Sequence, residues 1–197
     1  IGITTEQYLQ NEASQIHLLL ENGIDILHVR KPFFSEKELS VLLSEIREDF
    51  YGRIVLHDYF YLTSRFPVRG IHLNKRNHCI PLHYEGKISR SCHSIDEIRN
   101  DSEPYEYQFL SPVFDSISKN GYLSGFSNEQ LTEASRKNII HSKIIALGGI
   151  TPKRILQLKP YSFGGVAVLG YLWESSDSFE IKQRIKNLQS ALSQIEE

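Results

Sequence analysis

No apolar run in this chain approaches the roughly 20 residues that a transmembrane helix needs. No charged n-region with an apolar stretch behind it opens the sequence, so no signal peptide is expected. Cysteine is scarce: Cys79 and Cys92 are the only two, and no Cys-x-x-Cys pair occurs. That excludes a disulfide framework and a thiolate zinc site, and a reducing cytoplasm is the expected compartment. Neither sign of charge dominates, with 22 Lys and Arg against 24 Asp and Glu. A near-neutral chain has no general attraction for nucleic acid or anionic membrane, so any anion site has to be local. Methionine is absent and the chain starts at Ile1. The expectation is therefore that residues precede Ile1 or that the numbering does not begin at a start codon.

What is present is alternation. Apolar runs of about four residues recur at Ile1–Thr4, Ile26–Val29, Arg53–Leu56, Gly70–Leu73, Lys87–Ser91, Tyr107–Leu110, Ile144–Leu147 and Gly165–Leu169. Longer amphipathic segments separate most of them. Glu12–Leu20 places Ala13, Ile16, Leu19 and Leu20 on one helical face and ends at Asn22-Gly23, a C-cap signal. Ser35–Glu48 opens on a capping box, Ser35 with Glu38. Ser94 caps a helix begun by His93–Ile98, Ser127–Ala134 is helical, and Thr151-Pro152 puts a cap and a first-turn proline side by side. Ile181–Ile195 closes the chain as a helix. Between Leu73 and Lys87 the sequence is short and polar, so a helix there is expected to be small or absent. Eight strands separated by helices imply a parallel sheet with right-handed crossovers. In a chain of 197 residues with no linker they point to a single (β/α)8 TIM barrel domain over residues 1–197. An open doubly wound sheet is the other arrangement of such units.

Barrels carry their chemistry at the C-terminal ends of the strands. His28 lies within strand two, and Arg30 and Lys31 follow it. His57 and Asp58 follow strand three. His72 lies within strand four, and Asn74, Lys75, Arg76 and Asn77 come after it. Ser91, Cys92 and His93 end strand five. Gly148-Gly149 follows strand seven, and Leu169-Gly170 ends strand eight. The last two turns read as a phosphate cradle, because a residue without Cβ lets backbone N–H groups approach an anion closely. Arg30 suits either a carboxylate of the rim or a phosphate. Asp58 suits a helix cap or a Mg²⁺ ligand. His28 and His72 suit interior hydrogen bonding or substrate contact. Lys31, Lys75 and Arg76 are expected to be solvated. The segment Phe109–Tyr122, "FLSPVFDSISKNGY", sets Ser116, Ser118 and Lys119 at the end of strand six, two hydroxyls and a point charge suited to phosphate oxygens.

In order along the chain, these pieces resemble the thiamin phosphate synthase family, which includes thiazole tautomerases. Its Gln-x-Arg-x-Lys falls on His28–Pro32 and its Asn-Asp on His57-Asp58. Its Gly-x-His-Leu-Gly-Gln-x-Asp falls on Gly70–Asn77, and its Ser-x-His on Ser91–His93. Its Gly-Pro-Val-Phe-x-Thr-x-Thr-Lys falls on Ser111–Lys119, its Ala-Ile-Gly-Gly-Ile on Ala146–Ile150, and its last phosphate loop on Val166–Tyr171. The resemblance implies an enzyme that joins hydroxymethylpyrimidine diphosphate to thiazole phosphate with loss of diphosphate. It implies Arg30, Lys119 and Ser91 as catalytic groups, and substrate contacts from His28, His57, His72, Ser116, Ser118, Gly148, Gly149, Leu169 and Gly170. It also implies Mg²⁺ at Asp58 and Asn77. The chain departs from the pattern at Pro32 (lysine in the family), at His57 (asparagine), at Asn77 (the second metal-binding aspartate) and at the two serines (threonines). A tautomerase-like activity, or a barrel that only binds thiazole phosphate or thiamin phosphate, is the alternative; the tautomerase base position holds Pro112. Expected partners are small phosphorylated molecules, not nucleic acid or membrane, with a homo-oligomer left open.

Overall fold

The computed structural model describes residues 1–115 and 125–196. Its eight strands are β1 (Gly2–Ile3), β2 (Leu27–Val29), β3 (Ile54–Leu56), β4 (Gly70–Leu73), β5 (Lys87–Cys92), β6 (Tyr107–Leu110), β7 (Ile144–Leu147) and β8 (Gly165–Ala167). They pair in parallel in sequence order. The sheet closes where Gly2 bridges Val168, with Ile3 N–H donating to the Val168 carbonyl and Val168 N–H to that of Ile1, each at 3.0 Å. This is a (β/α)8 barrel, not an open sheet.

The helices are α1 (Glu12–Glu21), α2 (Glu36–Glu45), α3 (Ile95–Arg99), α4 (Asn128–Arg136), α5 (Pro152–Ile155) and α6 (Ser178–Glu196). Their starts follow the local signals. Ser35 and Ser127 each form a full capping box, and Thr151 caps α5 one residue before its proline. Gly23, just past α1, has φ +107°, a region that only glycine enters cheaply. A 3₁₀ turn, Phe60–Ser64, stands where the helix after β3 would be. No helix separates β4 from β5, so the outward-facing Ile71 and Leu73 are covered instead by Tyr105, Phe60 and Tyr84.

Period-two alternation sorts the strand residues. Leu27, Val29, Ile54, Leu56, Leu110, Ile144, Ala146 and Val166 face the helices. Their neighbours face the axis, and that interior is divided. Ile3, Phe109, Ile145 and Ala167 make an apolar cluster towards β6, β7, β8 and β1. His28, His57, His72 and Ser89 make a polar one on β2 to β5, every member of it buried.

Candidate active site

A cavity of about 490 Å³ opens at the C-terminal ends of the strands. Its floor is Ile3, His57, Ser91, Phe109 and Ala167, and its rim includes Arg30, Asn74, His93, Gly148, Gly149, Leu169 and Gly170. Residues from all eight strand ends thus meet in one space. Ser116, Ser118 and Lys119 lie outside the described residues.

The rim glycines are held by packing. Gly148 and Gly149 have φ +103° and +62°, so both need the conformational range of glycine. A Cβ on Gly149 would also sit 2.3 Å from the Asp115 carbonyl and 2.4 Å from Arg154 Nη1. Arg154 Nη1 donates to the carbonyls of Asp115 (2.7 Å) and Gly149 (2.8 Å), stitching the loop after β6 to this turn. The glycines therefore serve the turn itself before they meet any ligand.

Arg30 stands at the rim, where its Nη1 pairs with Glu6 Oε1 at 2.6 Å. Its backbone N–H donates to Thr4 Oγ1 at 2.9 Å, fixing the exit of β2 against β1. Lys31, expected to be solvated, is buried. Its Nζ lies 2.5 Å from Glu12 Oε1 and donates to the Gln7 carbonyl at 2.6 Å. The chain reverses direction here, so Lys31 points under α1 while Arg30 points at the cavity. Burial pushes the Glu12 carboxyl up and the Lys31 ammonium down, and their mutual contact opposes both shifts.

Behind the floor lies a histidine cluster. His28 Nδ1 is 2.8 Å from His57 Nε2, and His28 Nε2 is 2.6 Å from the Tyr107 hydroxyl. His72 bonds Ser89 Oγ through Nδ1 and Ser91 Oγ through Nε2, both at 2.8 Å. His28 and His72 are fully buried and do not line the cavity; His57 and Ser91 do. The three rings are close enough to suggest a metal centre. Their geometry opposes it. His57 and His72 stack at 4.3 Å with planes 23° apart, so their in-plane lone pairs do not converge. Both nitrogens of His28 and of His72 already have partners. Burial pushes all three imidazoles well down, His72 to about 3 with Arg30 adding to the effect. So His72 is too weak a base to activate Ser91 as a nucleophile. Burial also pushes the Tyr107 phenol up, so it keeps its proton. Assigning that proton to the bond with His28 Nε2 makes His28 Nδ1 a donor to His57 Nε2. A proton then remains on His57 Nδ1, a buried atom with no partner among the described residues.

Asp58 does not cap a helix. The residue that precedes the 3₁₀ turn is Tyr59, at φ +51°. Asp58 instead belongs to a polar knot beside the cavity. Asn77 Nδ2 donates to Asp58 Oδ1 and to the His57 carbonyl, both at 2.9 Å. Arg76 Nη2 reaches Asp58 Oδ1 at 3.1 Å and Oδ2 at 3.4 Å. Asn74 Nδ2 donates to the His57 carbonyl at 3.1 Å, and Asn74 Oδ1 accepts from the backbone N–H of Arg76 and Asn77. This donor set does not fit Mg²⁺. The ion takes oxygens, and charged ones by preference. Asn77 faces two acceptors and must show them its NH₂, not its oxygen. The single carboxylate is already paired with a guanidinium.

Known proteins agree with this architecture. The model of the thiamine monophosphate synthase family matches residues 1–172. The chain belongs to that family. A crystal structure of thiamine phosphate pyrophosphorylase from Bacteroides thetaiotaomicron is 38% identical, with a TM-score of 0.88 over 100% of this chain and 98% of that one. A thiamine-phosphate synthase from Flavobacterium johnsoniae is 25% identical over 198 aligned positions, which cover 90% of this chain and 89% of that protein. The thiamine phosphate pyrophosphorylase of Pyrococcus furiosus, 16% identical with a TM-score of 0.79, shares the fold. Within this family frame, the sequence carried no sign of Glu6 or Arg154 in the site, placed Asn74 at the rim without a role, and suggested a solvated Arg76 where the structure pairs it with Asp58. The position of Arg76, three residues after a strand, was the available signal; its pairing with Asp58 across 18 residues was not.

Proposed function

We propose that this chain is a thiamin phosphate synthase. In that reaction the methylene C–O bond of hydroxymethylpyrimidine diphosphate breaks, and both bonding electrons leave with the diphosphate oxygen. The thiazole nitrogen then donates its lone pair to the methylene carbon, forming the C–N bond. Neither step needs a protein nucleophile. What supports the reading, besides family membership, is a single cavity that joins a cation, a polar wall and two glycine turns, with no activated nucleophile among the described residues.

Each part has a task in this reading. The turns at Gly148-Gly149 and Leu169-Gly170 hold the monophosphate of the thiazole. Arg30 faces the leaving diphosphate, with its five fixed N–H donors shared between Glu6 and phosphate oxygens. Ile3, Phe109, Leu147 and Ala167 flank the rings and exclude water from the cation that forms between the two bond changes. The His57 ring lies against the pyrimidine, and the Ser91 hydroxyl, oriented by His72, gives a polar contact to it. Lys119 is assigned to the same leaving group as Arg30.

The test is a coupled measurement of thiamin phosphate and released diphosphate from the two purified substrates. Arg30→Ala should lower kcat by on the order of 10²-fold, more than it raises KM, because the charge acts most strongly as the leaving group separates. Binding of thiazole phosphate without any turnover would instead favour the non-catalytic alternative.

A further inference from the structure

The knot beside the cavity has a chemistry of its own. Asp58 is almost fully buried, and a lone buried carboxylate is costly unless it is paired. A cation held on it could bridge towards a diphosphate. In this chain that cation is built in. We infer that the Arg76 guanidinium, seated on Asp58, takes the place of a divalent cation at the diphosphate subsite, so that the chain binds diphosphate without metal. The inference rests on the synthase reading for its choice of ligand.

Three observations support it. First, Arg76 Nη2 spans both carboxylate oxygens, which leaves Nε and Nη1 outside that contact, while the side chain is 43% exposed. A guanidinium anchored on one edge and open on another suits phosphate oxygens. Secondly, Asn77 is neutral and adds no second negative charge of the kind that draws a divalent metal. Its amide donates to Asp58 and leaves that carboxylate with one net charge, matched by one arginine. Thirdly, the knot adjoins the cavity through His57, whose carbonyl accepts from Asn77 and whose side chain lines the cavity. Asn74, which positions the backbone of Arg76, itself lines the cavity. Arg30 lines this cavity after β2, and Arg76 stands just behind Asn74 after β4.

Calorimetric titration of the full chain with inorganic diphosphate, in EDTA and in excess Mg²⁺, tests this directly. The wild-type affinity should differ by less than about threefold between the two conditions. Arg76→Ala and Arg76→Gln should each weaken binding in EDTA by about tenfold or more, with folding checked by circular dichroism. The double variant Arg76→Ala/Asn77→Asp should bind weakly in EDTA and recover in Mg²⁺, because it restores two carboxylates to an oxygen-only site. Wild-type binding that appears only with Mg²⁺, no diphosphate binding in either condition, or an Arg76→Ala affinity equal to wild type in EDTA would each overturn the inference. A chain that binds diphosphate in EDTA but forms no thiamin phosphate would refute the synthase reading and leave the role of Arg76 standing.

Discussion

Lys31 and Arg30 are adjacent cations with opposite fates. Arg30 points at the cavity, whereas Lys31 is sealed against Glu12. Truncating one partner of a buried pair leaves the other charge uncompensated, which costs about 3–5 kcal/mol. Lys31→Ala should therefore destabilise the chain by about that amount in urea unfolding, and the added change Glu12→Leu should recover much of it. A loss under about 1 kcal/mol for Lys31→Ala would mean that the pair is not sealed. The cysteines differ in the same way. Cys92 is buried in the outer core and burial pushes its thiol up to about 11, while Cys79 is exposed. One thiol per native molecule should react with a disulfide reagent at pH 8, and two after denaturation. Residue types alone could not show either contrast. The sequence places Lys31 beside Arg30 but does not say which way each side chain leaves the strand end, and the partner Glu12 sits a whole helix away.

Among the elements, those with their own punctuation were legible. The capping box at Ser35, the Asn22-Gly23 stop and Thr151-Pro152 are local interactions, and the helices begin or end beside them. Elements that depend on long-range contact were less so. The bare connection between β4 and β5 was legible in its short, polar sequence, whereas the 3₁₀ turn after β3 had no such local signal. Asp58 illustrates the same limit: an Asp after a strand reads as a cap, and only the fold brings Arg76 and Asn77 onto it. The glycine turn after β7 combines both cases. Its sequence marks a turn, but the requirement for glycine comes from Asp115 and Arg154 as well as from φ. Gly149→Ala should thus cost more than about 1 kcal/mol of stability with no ligand present, through left-handed strain and the displaced loop. An unchanged unfolding midpoint would show that the turn tolerates a Cβ and that its glycine serves the ligand alone.

For the molecule as a whole, the divided barrel interior governs how stability varies with pH. His28, His57 and His72 are held neutral in the folded chain, well below the ordinary histidine value near 6.5 that the unfolded chain regains. Below that value the unfolded state binds protons that the folded state refuses, so stability falls as pH falls, down to the folded values. Each such histidine removes roughly 2 kcal/mol between pH 7 and pH 5. Urea unfolding at both pH values should show the drop, and His72→Gln should reduce it by roughly a third. A flat profile would mean that the cluster carries a proton when folded. The alternation that makes the barrel, and the order of the motifs along it, were legible because eight strands in sequence order bring their C-terminal ends to one rim. The half-polar interior was not, since a histidine within a strand reads equally as core or contact. The central claim is that this rim joins a pyrimidine to a thiazole phosphate. It is tested most directly by incubating the purified chain with hydroxymethylpyrimidine diphosphate and thiazole phosphate, with EDTA or with Mg²⁺, and quantifying thiamin phosphate and diphosphate together. The expected result is equal amounts of both products. No thiamin phosphate in either condition, from a chain shown to be folded, would contradict it.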